Sequence, residues 1–377
     1  MNAPRAFLAL LVAGALLSGG TARAQGTAEP PEASPPPPVV SPTTEPRAPV
    51  GPRLDLHGFF DINVSARRIR STGVDSTEFQ STLGQFDLYM LSRLSERISF
   101  LGELVIEGES ATGTRLDLER AHLRYSLADW LQLTAGRTHS PISLWNVVYH
   151  HGALLEPTTG RPAAVEFEDE GGLLPLHAVG VEFAGHVPVG TLQLQYTASM
   201  SNGRGPTPDE VQTSSDRNRD KALGATFGVQ FEQPFNIVLG TAFHHDRLPA
   251  SDDGRPEFDQ DIWGAHLSSR TNGLDLIAES FVVRDRDRAT GASYRQRAWY
   301  AVVSSGGGRW HPYVAADRMT VDSRDAYFAP SLRTLQRATA GLRLDVSEAN
   351  VVKLEYRNAL RDGFRSHELI LQTAFTF

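Results

Sequence analysis

Histidines and carboxylates crowd one stretch of this chain. His150-His151 stand side by side, His139 precedes them and Glu156 follows, while a second pair, His244-His245, lies further on. Imidazole nitrogens and carboxylate oxygens are metal ligands, so ligation is the first chemistry to weigh. Adjacent residues of a strand point to opposite faces, so neither pair converges on one ion without a bend. The spacing fits no metal pattern and polar loop packing accounts for it; no metal and no cofactor is expected. Asp252-Asp253-Gly254, with Glu257 and Asp259, offers oxygens to Ca²⁺ but not at EF-hand spacing, and reads as a solvated acidic turn. Arg284-Asp285-Arg286-Asp287-Arg288 alternates charge, as a solvated turn or a contact for lipopolysaccharide phosphates does. No G-x-S-x-G, H-E-x-x-H or Walker pattern occurs, and no serine can be placed beside His367 for lipid hydrolysis, so no enzyme is expected.

Charge is distributed unevenly. Between 139 and 174, Glu156, Glu166, Glu168, Asp169 and Glu170 stand against Arg161, a net −4. Arg120, Arg124, Arg337, Arg343, Lys353 and Arg357 fall on the polar faces of alternating segments elsewhere. An acidic loop facing a basic wall makes a transverse field across a water-filled gap. The alternative is ordinary solvated charge on a wet surface. The loop argues for passage of cations and the wall for anions, with the balance slightly towards cations.

The elements that must position these residues follow from the rest of the chain. Arg5, the apolar run Ala6 to Leu17 and Ala22-Arg23-Ala24 form an export leader expected to be cleaved after Ala24. That run is too short to span a bilayer as a helix, which needs roughly 20 residues. Residues 25–52 carry Pro30-Pro31, the run Pro35 to Pro38 and prolines 42, 46, 49 and 52, the composition of an extended spacer. The chain has no cysteine, which removes disulfides and thiolate sites. Without Arg5 and Arg23 it holds 34 basic against 44 acidic residues, a net −10, so nucleic acid is not an expected partner. No stretch after residue 24 reads as a transmembrane helix, and the other structure that satisfies every backbone group in lipid is a closed barrel.

From Leu54 the pattern has period two. Leu54, Leu56, Gly58, Phe60, Ile62 and Val64 alternate with Asp55, His57, Phe59, Asp61 and Asn63. The texture recurs in about sixteen candidate strands to the C-terminus, most of them 10–14 residues long. Short connections, such as Ser95-Glu96, Ala128-Asp129 and Ser347-Glu348-Ala349, alternate with longer polar ones near 68–79, 109–115, 139–174, 204–220, 246–260, 285–293 and 320–334. Short turns at one end and long loops at the other are the layout of membrane barrels. Val352, Leu354, Tyr356 and Leu360 oppose Lys353, Glu355 and Arg357; Ala121, Leu123, Tyr125 and Leu127 oppose Arg120, His122 and Arg124. Sixteen strands enclose a lumen too wide for side chains to fill, so the polar face is expected to line water and the apolar face to meet lipid. Trp130 and Trp310 begin strands after short turns, where an aromatic girdle sits. The fold class is therefore all-β, a transmembrane antiparallel up-and-down barrel over 53–377, with 1–24 as leader and 25–52 as linker.

The terminal Leu369-x-Leu371-x-Thr373-x-Phe375-x-Phe377, the strand number and the long third loop together resemble the general outer-membrane porin superfamily. Gly136-Arg137-Thr138-His139-x-Pro141 and Trp145-Asn146-x-x-Tyr149-His150-His151-Gly152 are also similar to segments of bacterial barrels near the phosphate-selective porin O/P group. Phosphate selectivity implies basic external loops. This chain has two lysines, Lys221 and Lys353, and no phosphate site is carried over. The resemblance implies an outer-membrane diffusion channel for small hydrophilic solutes, with loop 139–174 folded inwards to narrow the pore. It makes Phe375 and Phe377 the signal read by the barrel-assembly machinery, and it implies contact with outer-membrane lipid and lipopolysaccharide and a homotrimer. A substrate-specific channel and a non-conducting structural or adhesive barrel are the alternatives.

Overall fold

Alternating apolar and polar residues can satisfy lipid on one side and polar surroundings on the other only if the sheet has no free edge. The computed structural model describes residues 53–377 apart from 72, 110–112, 151, 169, 213–214, 232 and 272. The expected leader 1–24 and linker 25–52 lie outside the described residues. The strands are β1 (Arg53–Ser71), β2 (Val74–Arg93), β3 (Ile98–Glu109), β4 (Gly113–Ala128), β5 (Leu131–His139), β6 (His177–Val189), β7 (Leu192–Ser201) and β8 (Ala222–Phe231). They continue as β9 (Ile237–Leu248), β10 (Phe258–Arg270), β11 (Leu274–Asp287), β12 (Ser293–Ser305), β13 (Trp310–Thr320), β14 (Leu335–Ser347), β15 (Asn350–Arg361) and β16 (Phe364–Thr376). Each pairs antiparallel with its neighbours in sequence, and β1 pairs with β16 to close the barrel. At the seam Gly58 and Phe377 exchange backbone hydrogen bonds of 3.0 and 3.1 Å. A Cβ on Gly58 would fall 2.2 Å from the Phe377 ring, so a larger residue here would displace that ring.

The faces separate as the alternation requires. Leu354, Tyr356, Leu369 and Leu371 are about half exposed, whereas Lys353 and Glu355 between them are fully buried. Trp130 and Trp310 are exposed at the short-turn end, and Trp263 and Trp299 are exposed on β10 and β12. Aromatic rings at these levels suit the two borders of an apolar band.

Two features depart from the sequence reading. Residues 68–79 are not a long loop: β1 and β2 run on as a hairpin whose register reaches Ser71–Val74. Both faces are polar there, which hides the strand from a hydrophobicity pattern, but backbone pairing needs no apolar side chain. Cross-strand pairs such as Arg68–Asp75, at 2.9 and 2.7 Å, favour the extension. Second, the inner face is not polar throughout. On β9–β14 it carries Phe258, Ile262, Phe281, Val283, Tyr300 and Val302, and these share a buried apolar cluster with Ile142, Trp145, Val165, Leu174 and Leu176 of segment 140–176. Tyr327, Phe328 and Leu332 of the connection 321–334 join the same cluster.

Candidate functional site

Segment 140–176 is mostly irregular, so its amides and carbonyls need partners from outside a ladder. They find them on the wall. Ser143 caps a one-and-a-half-turn helix, α1 (Leu144–Tyr149), by accepting from Asn146 N. Glu279 of β11 sits at the same terminus. Its carboxylate accepts from Ser143 Oγ at 2.7 Å, Leu144 N at 2.7 Å, Trp145 N at 3.0 Å and the Tyr300 hydroxyl. A carboxylate on the first amides of a helix is favoured by charge as well as by hydrogen bonding. Asn146 Nδ2 donates to Ser140 O and Leu176 O, both at 2.9 Å, and so ties the two ends of the segment together.

The basic residues of β14 and β15 hold the next stretch by its carbonyls. Lys353 Nζ donates to Ala153 O and Thr158 O at 2.5 and 2.7 Å. Arg343 donates to Leu154 O and Glu156 O at 2.6 and 3.1 Å. Arg337 donates to Arg161 O at 2.6 Å while paired with Asp317 at 2.7 Å and with Glu166 at 3.4 Å. Arg357 reaches Thr159 Oγ1 and Glu355, and Glu355 in turn accepts from Thr159 N at 2.9 Å. Four of the six basic residues singled out in the sequence are thus brought against the segment. Arg120 instead pairs closely with Glu103, and exposed Arg124 lies 3.3 Å from Thr134 Oγ1.

The acidic residues divide similarly. Glu156 is buried with Arg161 at 3.9 Å. Burial pushes the Glu166 carboxyl up, against the opposing pull of Arg337. Glu168 is buried and accepts from Leu176 N at 2.6 Å and His177 N at 3.1 Å. Burial alone would raise its carboxyl, but the His177 ring beside it, with Arg204, holds it down at about 2. Glu170 is exposed, and Asp169 lies outside the described residues. Of the two residues expected to form an assembly signal, Phe375 packs on Phe60 at 5.2 Å and Phe377 on Phe86 at 5.6 Å.

The acids Glu279, Asp317 and Glu355 do as much to hold the segment as the bases do, and the sequence reading gave them no role, placing only Glu355, on the polar face of its strand. Glu279, an acid set within the apolar stretch Leu276 to Val283, was the available signal. The opposite wall differs. On β7 and β8 the inward positions are Gln193, Gln195, Thr197, Thr226 and Gln230, all half-buried, with Gln195 donating to Gln193 and Gln230 at 3.1 and 3.0 Å. Two cavities flank the segment. One of about 480 Å³ lies at the short-turn end between Tyr149, Leu155, Arg270, Asp275, His311 and Arg343. Another of about 250 Å³ is lined by Glu107, Arg115, Asp117, Phe167 and Glu168.

No family model and no curated protein matches the chain. Solved structures do. An anion-selective porin from Comamonas acidovorans is 12% identical with a TM-score of 0.63, over 86% of this chain and 100% of that one. The outer-membrane channel DcaP of Acinetobacter baumannii is 14% identical with a TM-score of 0.58, over 87% and 98%. Salmonella typhi OmpF is 15% identical with a TM-score of 0.53, over 87% and 98%. At such identities the likeness is one of fold: the chain has the closed sixteen-stranded barrel found in outer-membrane porins.

Proposed function

We infer that the chain is an outer-membrane porin, a passive channel for small hydrophilic solutes or ions. The single observation that carries this reading is the asymmetry of the lumen: a segment anchored against β11–β16, opposite a half-buried polar wall on β7 and β8. The apolar outer band supports a place in lipid, and the fold shared with porins supports the outer membrane. In this reading segment 139–174 narrows the pore. Glu156, Glu166, Glu168, Asp169 and Glu170 give it its negative sign; Arg120, Arg124, Arg337, Arg343, Lys353 and Arg357 give the wall its positive one. Arg337, Arg343 and Lys353 act mainly as anchors, since each donates to backbone carbonyls of the segment. Exposed Glu170 and Arg124 carry the field that a solute meets.

The cavity beside Tyr149, Arg270 and Asp275 favours a narrower version, a channel with a binding site for one class of small polar solute. Cleavage of 1–24, insertion through the assembly machinery by way of Phe375 and Phe377, and a homotrimer belong to the same proposal. One similar structure, OmpT of Vibrio cholerae, is described in a trimer form. Outward Arg284, Arg286, Arg295 and Arg297 on β11 and β12 are exposed and suit lipopolysaccharide phosphates. The test is single-channel recording in a planar bilayer under a salt gradient. Discrete steps with a reversal potential are expected, and saturation by a solute separates the specific channel from the general one. A membrane-inserted, β-rich sample that never conducts would overturn the channel and leave a structural barrel.

A further inference from the structure

Ligand-bearing side chains gather where the two ends of segment 140–176 meet the wall. His139 ends β5, His177 begins β6 and His150 follows α1, and one ring nitrogen or equivalent ligand atom of each lies within 4.8 Å of the others. Glu119 of β4 reaches the same point, its Oε2 2.5 Å from His177 Nε2 and 3.9 Å from His150 Nε2. Alternation counted back from Arg124, His122 and Arg120 would turn Glu119 outwards, although outward Leu118 precedes it. A β-bulge intervenes: Glu103 pairs with Arg120 and Leu104 with Leu118, and the extra residue lets both Glu119 and Arg120 face inwards.

The protons on the two central rings follow from their partners. Asn146 spends its Nδ2 hydrogens on Ser140 O and Leu176 O, so its Oδ1 faces His150 Nδ1 at 2.5 Å, and that nitrogen carries the hydrogen. His177 Nδ1 donates to Glu168 Oε2 at 3.1 Å. The two Nε2 atoms face each other at 3.1 Å beside the Glu119 carboxylate, and with His177 neutral both present lone pairs there. Electron-rich atoms at this spacing repel one another unless a positive centre lies among them. Metal-ligating histidines have this arrangement, each handing its other N–H to a carboxylate or carbonyl oxygen. The separations of 2.5, 3.1 and 3.9 Å bracket the roughly 3.3 Å between ligands of a tetrahedral ion bound at about 2 Å.

We propose that His150, His177 and Glu119 bind one divalent transition-metal ion of the Zn²⁺ class, with His139, whose ring is stacked on His150 at 3.4 Å, turning to supply the fourth ligand. Imidazole donors select Zn²⁺, Cu²⁺ or Ni²⁺ over Ca²⁺ and Mg²⁺. Glu103, Glu119 and Glu168 bring negative charge to the cluster and Arg120, Arg137 and Arg161 bring positive charge, so a cation meets no net repulsion. The ion joins β4, β5, α1's exit and β6, and thereby pins both ends of the segment to the wall. The rival positive centre is a proton, with His177 as an imidazolium between Glu119 and Glu168.

The test is a Zn²⁺ titration of the full chain refolded in detergent, against a chromophoric chelator, with Co²⁺ as the spectroscopic probe. One equivalent of Zn²⁺ retained through dialysis is expected, and Co²⁺ giving the intense visible bands of a tetrahedral site, displaced by Zn²⁺. His150→Ala and His177→Ala abolish retention. Glu168→Gln leaves all four ligands and weakens binding about 10–100-fold. His57→Ala, at an exposed position, changes nothing. Where a histidine variant fails to refold, the unsubstituted chain decides alone: no retained Zn²⁺, with Co²⁺ showing only the spectrum of its hydrated ion, overturns the proposal and leaves the proton in place. Binding in detergent needs no open pore, so this result stands or falls apart from the channel reading.

Discussion

The walls of β7–β8 and β11–β12 look alike from outside and differ inside. Both present apolar side chains outwards, Phe227 and Phe231 on one, Trp299 and Leu274 on the other. Inside, β7–β8 offers glutamines and threonines that remain half-buried, whereas β11–β12 offers Ile277, Glu279, Phe281, Val283, Tyr300 and Val302, all buried. The outer faces answer to one solvent and the inner faces to two. The largely apolar inner face, with Glu279 set in it, receives the segment; the uncharged polar one stays half-buried. The difference marks the wall that the segment contacts without appeal to the segment's own sequence.

The comparison breaks first at Glu279. Glu279→Ala leaves Ser143 Oγ, Leu144 N, Trp145 N and the Tyr300 hydroxyl without their acceptor. The loss to docking of the segment is on the order of 5 kcal/mol, since each buried donor left alone costs about 1–3. Limited proteolysis is expected to open within 140–176 while the barrel keeps its heat-modifiable migration; an unchanged digest contradicts the anchoring role. Arg337→Ala comes next. It strands Asp317 in a buried position, a loss of roughly 3–5 kcal/mol, and the double variant Arg337→Met with Asp317→Leu is expected to recover most of it. A double variant no better than the single one would show that the pair's hydrogen bonds to Arg161 O and Ala163 N matter more than its charges.

Acid sharpens the same contrast. Glu168 is held at about 2, below its ordinary value of 4.5, so its contribution is complete above about pH 4.5 and is lost as pH falls through about 2. Protease access to 140–176 should rise across that window in the unsubstituted chain and stay flat in Glu168→Gln. On the open wall the effect on stability is smallest: Gln195→Ala is expected to cost under about 0.5 kcal/mol, measured by urea-dependent unfolding.

How much of this was legible in the sequence follows from which forces leave a local pattern. Lipid imposes a period of two on every strand, so all sixteen strands could be found from alternation, and the face assigned to Leu354, Leu369 and Leu123 matches their exposure. The hairpin extension over 68–79 was hidden because no apolar solvent marks it. The docking of 140–176 depends on partners such as Ser143 and Glu279, separated by 136 residues, and no local spacing records that. The histidine cluster was missed for the same reason and one more. His150 and His139 were noticed and His177 was not, and the bulge that turns Glu119 inwards breaks the very alternation used to assign faces.

In the inferred channel the lumen stays open along β7–β8 and closed over β11–β12. The chain has no cysteine, so single introduced thiols report access without background. Gln195→Cys and Val302→Cys, recorded as single channels in a planar bilayer before and after a charged thiol reagent, test it directly. The account predicts discrete conductance steps in both, a stepwise fall in current on modification of Gln195→Cys, and no response from Val302→Cys. Equal responses at the two positions, or no conductance from inserted barrels, would contradict it.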